Sequence, residues 1–225
     1  MGERSAKDAM YDGFAVAARA LASGRRAEIV DVLSQGERSV EDLAGEIEQG
    51  VSNTSQHLHH LARAGLVRHR RDGNRVVYRL ASGRVGETWR ALRDLGVSHL
   101  AELDRRTRDY LGERDASDTL SRAELATRMR AGEVVVLDVR PRAEYAAGHI
   151  PGARPVPLPE LRDRLRGRLD DVPAGVEIVA YCRGPYCAYA DEAVRLLRSR
   201  GIRARRLDDG LPEWMQAGYP VAIGP

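Results

Sequence analysis

The chain has 225 residues, 43% of them apolar, a formal net charge of +3 and two cysteines. That length fits one large or two ordinary domains, and two cysteines are too few for a disulfide scaffold. The charge is too small to establish nucleic-acid binding by itself. No apolar run reaches the length of about eighteen residues that a transmembrane helix needs. The start, Met-Gly-Glu-Arg-Ser-Ala-Lys-Asp, lacks the apolar core of a signal peptide, so a cytoplasmic protein with no membrane partner is expected. Lys7 is the sole lysine; arginine carries nearly all the positive charge.

Residues 1–110 read as a succession of helices with one hairpin. Residues 40–48 form a short amphipathic pattern with Val40, Leu43, Ala44 and Ile47 on one face, and Ser39 is the expected cap. A Gln49-Gly50 turn leads to a second helix, expected over 52–64 with Ser52 as its cap and Leu58 and Leu61 facing inward. Two helices joined by a short glycine-containing turn make a helix-turn-helix. Near the start of such a second helix, Asn53, Thr54, Gln56, His57 and His60 can reach a major groove. Asn53 and Gln56 are the base-reading candidates, because a carboxamide pairs bidentately with adenine. Residues 66–71 and 75–80 flank Asp72-Gly73-Asn74, a strong hairpin signal. Between Arg63 and Arg79 stand six arginines against one acid, Asp72. Strand alternation puts Arg68 and Arg70 on one face, where they can grip phosphate; Arg63 and Arg75 extend the same basic stretch.

The polar stretch of residues 112–119 reads as a linker, and strand and helix signals alternate beyond it. Strands are expected over 133–139, 176–181 and 204–207, and helices over 158–169 and 191–200. The first strand ends in Asp138, and Arg140, Glu144 and His149 follow in a polar turn. Asp138, His149 and Cys182 could be taken as a hydrolase triad, but no residue here is placed to activate Cys182, and the four polar groups are expected to hydrogen-bond the loop framework. Both cysteines fall in one stretch, Val179-Ala-Tyr-Cys182-Arg-Gly-Pro-Tyr-Cys187-Ala. Cys182 stands where a buried strand ends and a Gly-Pro turn leads into a helix. Backbone N–H groups and the helix dipole favour a thiolate there, so Cys182 is expected to be the reactive nucleophile.

Two resemblances sharpen this reading. The run Val51-Ser-Asn-Thr-Ser-Gln-His-Leu-His-His-Leu-Ala-Arg-Ala-Gly-Leu-Val, with Gly73-Asn74-Arg75-Val-Val-Tyr78 behind it, resembles the winged-helix ArsR-type bacterial repressors over residues 10–105. That resemblance implies a homodimer, built in part from the first helices and a helix over 85–108. It also implies a palindromic double-stranded DNA operator with half-sites roughly 34 Å apart. The chain departs from metal-sensing relatives. Arg38-Ser-Val-Glu-Asp-Leu carries no cysteine, and His99, Glu102 and Asp104 lack the second His and Asp of zinc sensors. His57, His59, His60 and His69 are clustered, yet metal ligands come as three or four converging groups. Neither a metal nor another cofactor is expected.

Leu137-Asp-Val-Arg140 with Glu144-Tyr145-Ala-Ala-Gly148-His149-Ile-Pro-Gly-Ala153 is similar to the first rhodanese signature. Asp208-Asp-Gly-Leu-Pro-Glu-Trp214 with Gly218-Tyr-Pro-Val221 is similar to the closing one. The resemblance covers residues 118–222 and implies an α/β fold with a central parallel sheet. It also implies Cys182 as a nucleophile carrying sulfane sulfur as a persulfide, cradled by the backbone N–H groups of Arg183, Gly184, Pro185, Tyr186 and Cys187, proline excepted because it has none. A loop of that length fits sulfur better than the larger phosphate or arsenate centres. Arg183 is a candidate for steering an anionic donor, or is a solvated loop residue. Tyr186 adds bulk that disfavours thiosulfate itself. Cys187, a poor helix cap, either resolves a Cys182 persulfide or stands by. The expected architecture is therefore an ArsR-type winged-helix DNA-binding and dimerisation domain (1–110), a linker (111–119) and a rhodanese domain (120–225). The expected function is a transcriptional repressor whose operator binding responds to reactive sulfur delivered by a small donor or a persulfide carrier. The alternative is a sulfurtransferase enzyme whose DNA-binding domain regulates its own operon.

Overall fold

A computed structural model of the chain describes residues 2–112, 114–165 and 176–224. It divides into two units, Met1–His99 and Leu100–Pro225.

In the first unit, α1 (Gly2–Leu21) and α2 (Gly24–Leu33) lead into the short strand β1 (Arg38–Ser39) and α3 (Val40–Glu46). The Ser39 side chain caps α3 by accepting the Asp42 N–H at 3.1 Å. α3 stops at Ile47 because Glu48 takes a positive φ of 51°, and the Gln49 N–H closes on the Ala44 carbonyl at 2.9 Å. α4 (Val51–Arg63) follows immediately and is capped by Gly50, not by Ser52, which lies exposed inside its first turn. Gly65, at φ +72°, ends α4: the Leu66 N–H reaches the Leu61 carbonyl at 3.0 Å and the chain reverses into the hairpin. Strands β2 (Val67–Asp72) and β3 (Arg75–Leu80) pair in antiparallel register around Gly73-Asn74, and β1 flanks β3. Only Gly73 of the two turn residues has positive φ, as a type II′ turn requires. α5 (Gly83–His99) closes the unit. Ile29, Val30, Leu43, Leu58, Leu61 and Tyr78 are the centre of its core.

The helix expected over 85–108 is in fact two. α5 ends at His99, Leu100 adopts an extended conformation, and α6 (Ala101–Leu111) restarts in the second unit. After a 3₁₀ turn at Ala116–Asp118 the chain enters the sheet at β4 (Thr119–Leu120), so the far end of the polar stretch already pairs with a strand. There follow α7 (Arg122–Arg130), β5 (Val134–Asp138), α8 (Arg142–Ala147), β6 (Arg154–Pro155), α9 (Leu158–Arg164), β7 (Glu177–Tyr181), α10 (Ala188–Arg198), β8 (Ala204–Leu207) and α11 (Leu211–Gln216). The helix expected over 158–169 is described as far as Arg164, and residues 166–169 lie outside the described residues. The one expected over 191–200 begins three residues earlier, directly after Cys187.

The strands form one parallel sheet in the order β4-β8-β7-β5-β6. Alternation along β7 sends Ile178 and Ala180 to the face covered by α9 and α10. Val179 and Tyr181 go to the face covered by α7 and α11. Burial on both faces is why the strands read as continuous apolar runs rather than alternating ones. Asp138 and Tyr181 lie side by side at the carboxyl ends of β5 and β7, where open α/β sheets place their sites.

Candidate functional site

Cys182 follows β7 directly and is 2% exposed; Cys187 is half-buried and is the N-cap residue of α10. Between them the Cys187 N–H donates to the Gly184 carbonyl at 3.2 Å, closing a tight turn. That N–H is therefore spent inside the loop and is not part of a sulfur cradle. The Cys182 thiol lies 3.4 Å from the Cys187 carbonyl and 3.8 Å from that of Gly184. The two thiols interact side chain to side chain. Burial pushes the Cys182 thiol well above the ordinary thiol range, and the neighbouring Cys187 adds to the rise. Contact with Cys182 draws Cys187 the other way, against its own burial, and the N–H groups of Tyr189 and Arg183 help. The two thiols are thus pushed in opposite directions, Cys182 up and Cys187 down. The Gly184 N–H of the loop and the Ala190 N–H in the first turn of α10 both lower Cys182 against burial. Tyr189 and Ala190 were not among the residues singled out in sequence. Their contribution follows once Cys187 is recognised as the N-cap, because the next residues then present free N–H groups.

The loop is held by charge. Arg183 does not offer a free guanidinium. It grips the fully buried Glu144 carboxylate at 2.6–3.1 Å and its guanidinium sits 5.7 Å over the Tyr189 ring. Beneath the loop, Asp138 accepts from the Arg140 backbone N–H (3.0 Å), the Arg140 guanidinium (2.5–3.2 Å) and the Tyr181 hydroxyl; Arg140 also donates to the Gly148 carbonyl at 2.8 Å. His149 stacks on Tyr145 at 3.7 Å, and its Nδ1 lies 2.9 Å from the Tyr145 carbonyl. Asp138 and His149 are thereby engaged with the framework, and this geometry does not form the hydrolase triad.

Two further residues shape the loop. A Cβ on Gly210 would fall 2.4 Å from the Arg183–Gly184 peptide, so only glycine lets α11 start this close. Arg114 donates to the Pro185 carbonyl at the loop tip and forms a bidentate pair with Asp191 in the first turn of α10, with Nε at 2.9 Å. Asp191 also faces Arg206 at 3.3 Å. A linker arginine carries no sequence signal of its own; only the fold brings it to the loop.

In the first unit, Ser52, Asn53, Gln56 and His60 are exposed along α4, while His57 is partly covered. Burial, then Arg26, lowers the His57 pKa and favours its neutral form. Thr54 is fully buried and donates its hydroxyl to the Gly50 carbonyl at 3.1 Å. It supports the helix start and cannot read a base. The Asn53 carboxamide donates to Gln49 at 2.8 Å, and Arg63 lies 3.1 Å from His60. On the wing Arg68 and Arg75 are exposed. Arg70 is ion-paired to Glu37, and to Asp72 at 3.2 Å, so its charge is largely committed.

The comparisons agree with both halves. Residues 23–69 match the bacterial regulatory protein arsR family and residues 121–217 the rhodanese-like domain. The HTH-type transcriptional regulator Rv0324 of Mycobacterium tuberculosis is 44% identical over 223 residues, 99% of this chain and 96% of the relative. The chain belongs to the ArsR-type transcriptional regulators fused to a rhodanese domain. A protein named sulfurtransferase from Allochromatium vinosum is 30% identical over 40% of this chain and 78% of its own. The solution structure of a homodimeric winged helix-turn-helix DNA-binding domain from Mycobacterium bovis is 36% identical. It covers 45% of this chain and 93% of its own, with a TM-score of 0.41. No described helix of this ArsR-type regulator is long and apolar enough to cross a membrane.

Proposed function

We propose that this ArsR–rhodanese regulator binds a palindromic operator as a homodimer and represses from it, and that its operator affinity changes when Cys182 accepts sulfane sulfur. In the accepting step the Cys182 sulfur attacks the outer sulfur of a persulfide donor R–S–SH. The donor's S–S bond breaks and the thiolate RS⁻ leaves. The Cys182 proton is released and neutralises the departing RS⁻ as RSH. The observation that carries the coupling is Arg114, which joins the segment following α6 to both the loop tip and α10. A change in loop conformation is felt there at once. Asn53 and Gln56 read the groove and Arg68 and Arg75 hold phosphate.

The test is a shift assay with the protein's own upstream DNA, with and without glutathione persulfide. Wild type is expected to change affinity and Cys182→Ser to stay fixed; equal response of both proteins sinks the reading. A second reading, a sulfurtransferase whose DNA-binding half controls its own operon, is favoured by the 30% identity of 40% of the chain to a protein named sulfurtransferase. Continuous turnover of thiosulfate with cyanide supports it, whereas a single stoichiometric modification supports the sensor.

A further inference from the structure

We propose that Cys187 is the resolving residue of the loop: its sulfur attacks the inner sulfur of a Cys182 persulfide, closing a Cys182–Cys187 disulfide and expelling hydrosulfide. This rests on the reading of Cys182 as the sulfur acceptor. Three observations carry it. The Gly184–Cys187 turn folds the loop back, so that Cys182 Sγ reaches the Cys187 carbonyl at 3.4 Å and the two side chains meet. An attack within so short a loop is intramolecular and has the advantage that orientation confers. Second, Cys187 occupies the N-cap of α10 yet makes no side-chain cap bond. Its sulfur stands instead beside the Tyr189 N–H, where the helix N-terminus favours the thiolate that such an attack needs. Third, Cys187 is half-buried whereas Cys182 is 2% exposed, so Cys187 is the more accessible residue of the pair.

The step balances without an outside oxidant, because a persulfide already stands at the oxidation level of a disulfide. The Cys187 sulfur, giving up its proton to solvent, supplies an electron pair to the new S–S bond. The bond between the inner and outer persulfide sulfurs breaks, and its pair leaves on the outer sulfur as HS⁻, a good leaving group by its low basicity. The loop then records the arrival of sulfane sulfur without storing it. Every donor leaves the same disulfide, and a dithiol reductant returns both thiols.

The experiment uses the full chain under anaerobic conditions, with glutathione persulfide added and then removed, and reads intact mass and liberated sulfide. Wild type is expected to become lighter by two hydrogens. Cys187→Ser and Cys187→Ala are expected to become heavier by one sulfur atom, and to liberate less sulfide than wild type by one equivalent per chain. A wild type that stays one sulfur heavier, or that forms a bridge retaining the extra sulfur, overturns the resolving role while leaving Cys182 as acceptor. If the folded Cys187 variants gain no sulfur, the acceptor assignment falls, and the resolving step with it.

Discussion

Arg140 is fully buried, and its nearest charge, Asp138, is buried with it. Burial of the guanidinium favours its neutral form, but the hydrogen-bonded carboxylate outweighs that and raises its pKa. The pair's main consequence is positional: Asp138 also receives the Tyr181 hydroxyl, and Tyr181 is the residue on which the Cys182 loop is rooted. Arg140→Leu leaves a carboxylate buried without its cation. It is expected to cost about 3–5 kcal/mol in the urea unfolding of the second unit, with partial recovery in Asp138→Asn/Arg140→Leu. A loss below about 1 kcal/mol would show that the carboxylate finds another partner. The polarity of Asp138, Arg140, Glu144 and His149 was visible in the sequence because charged groups amid apolar runs stand out. Which of them pair was not, since Glu144 reaches across 39 positions to Arg183.

At the scale of elements, the wing shows how a strand pattern can mislead about charge. Arg68 and Arg70 share a strand face by alternation, yet only Arg70 meets Glu37 from the segment before β1. The ion pair holds the Glu37 carboxyl below its ordinary range, so it persists to lower pH than an isolated glutamate would, and is lost as the pH falls further. Arg68→Ala is therefore expected to reduce the salt dependence of operator binding by about one phosphate contact. Arg70→Ala should reduce it by clearly less, as titrations at several salt concentrations would show. Equal slopes for the two variants would mean that DNA strips Arg70 from Glu37. α4 teaches the same lesson about boundaries. Ser52 is a better cap than Gly50 by residue type, but the turn after α3, set by Glu48 at φ 51° and the Gln49–Ala44 bond, starts α4 at Val51. Thr54 faces inward because it shares the i, i+4, i+7 face of Leu58 and Leu61, while Asn53 and Gln56 face out.

For the whole molecule, the question is how a sulfur event in the second unit reaches operator binding, and Arg114 is where it can be asked. Arg114→Ala is expected to leave sulfur uptake at Cys182 intact, read by mass, while weakening or abolishing the persulfide response of operator binding. A full response in that variant would remove Arg114 from the path. The sequence by itself determined the two-part architecture and the cysteine loop. Apolar period, turn residues and short motifs are local properties, and each is written in a few consecutive positions. It also exposed the helix-turn-helix, the hairpin and both rhodanese signatures for the same reason. Only the tertiary structure decided that Arg183 is bound to Glu144, that Gly210 must be small and that Arg114 touches the loop. It also set the two thiols apart, since burial raises Cys182 while contact with Cys182 lowers Cys187. Those outcomes depend on burial and on partners distant in the chain, and desolvation and ion pairing are set by what surrounds a group in space.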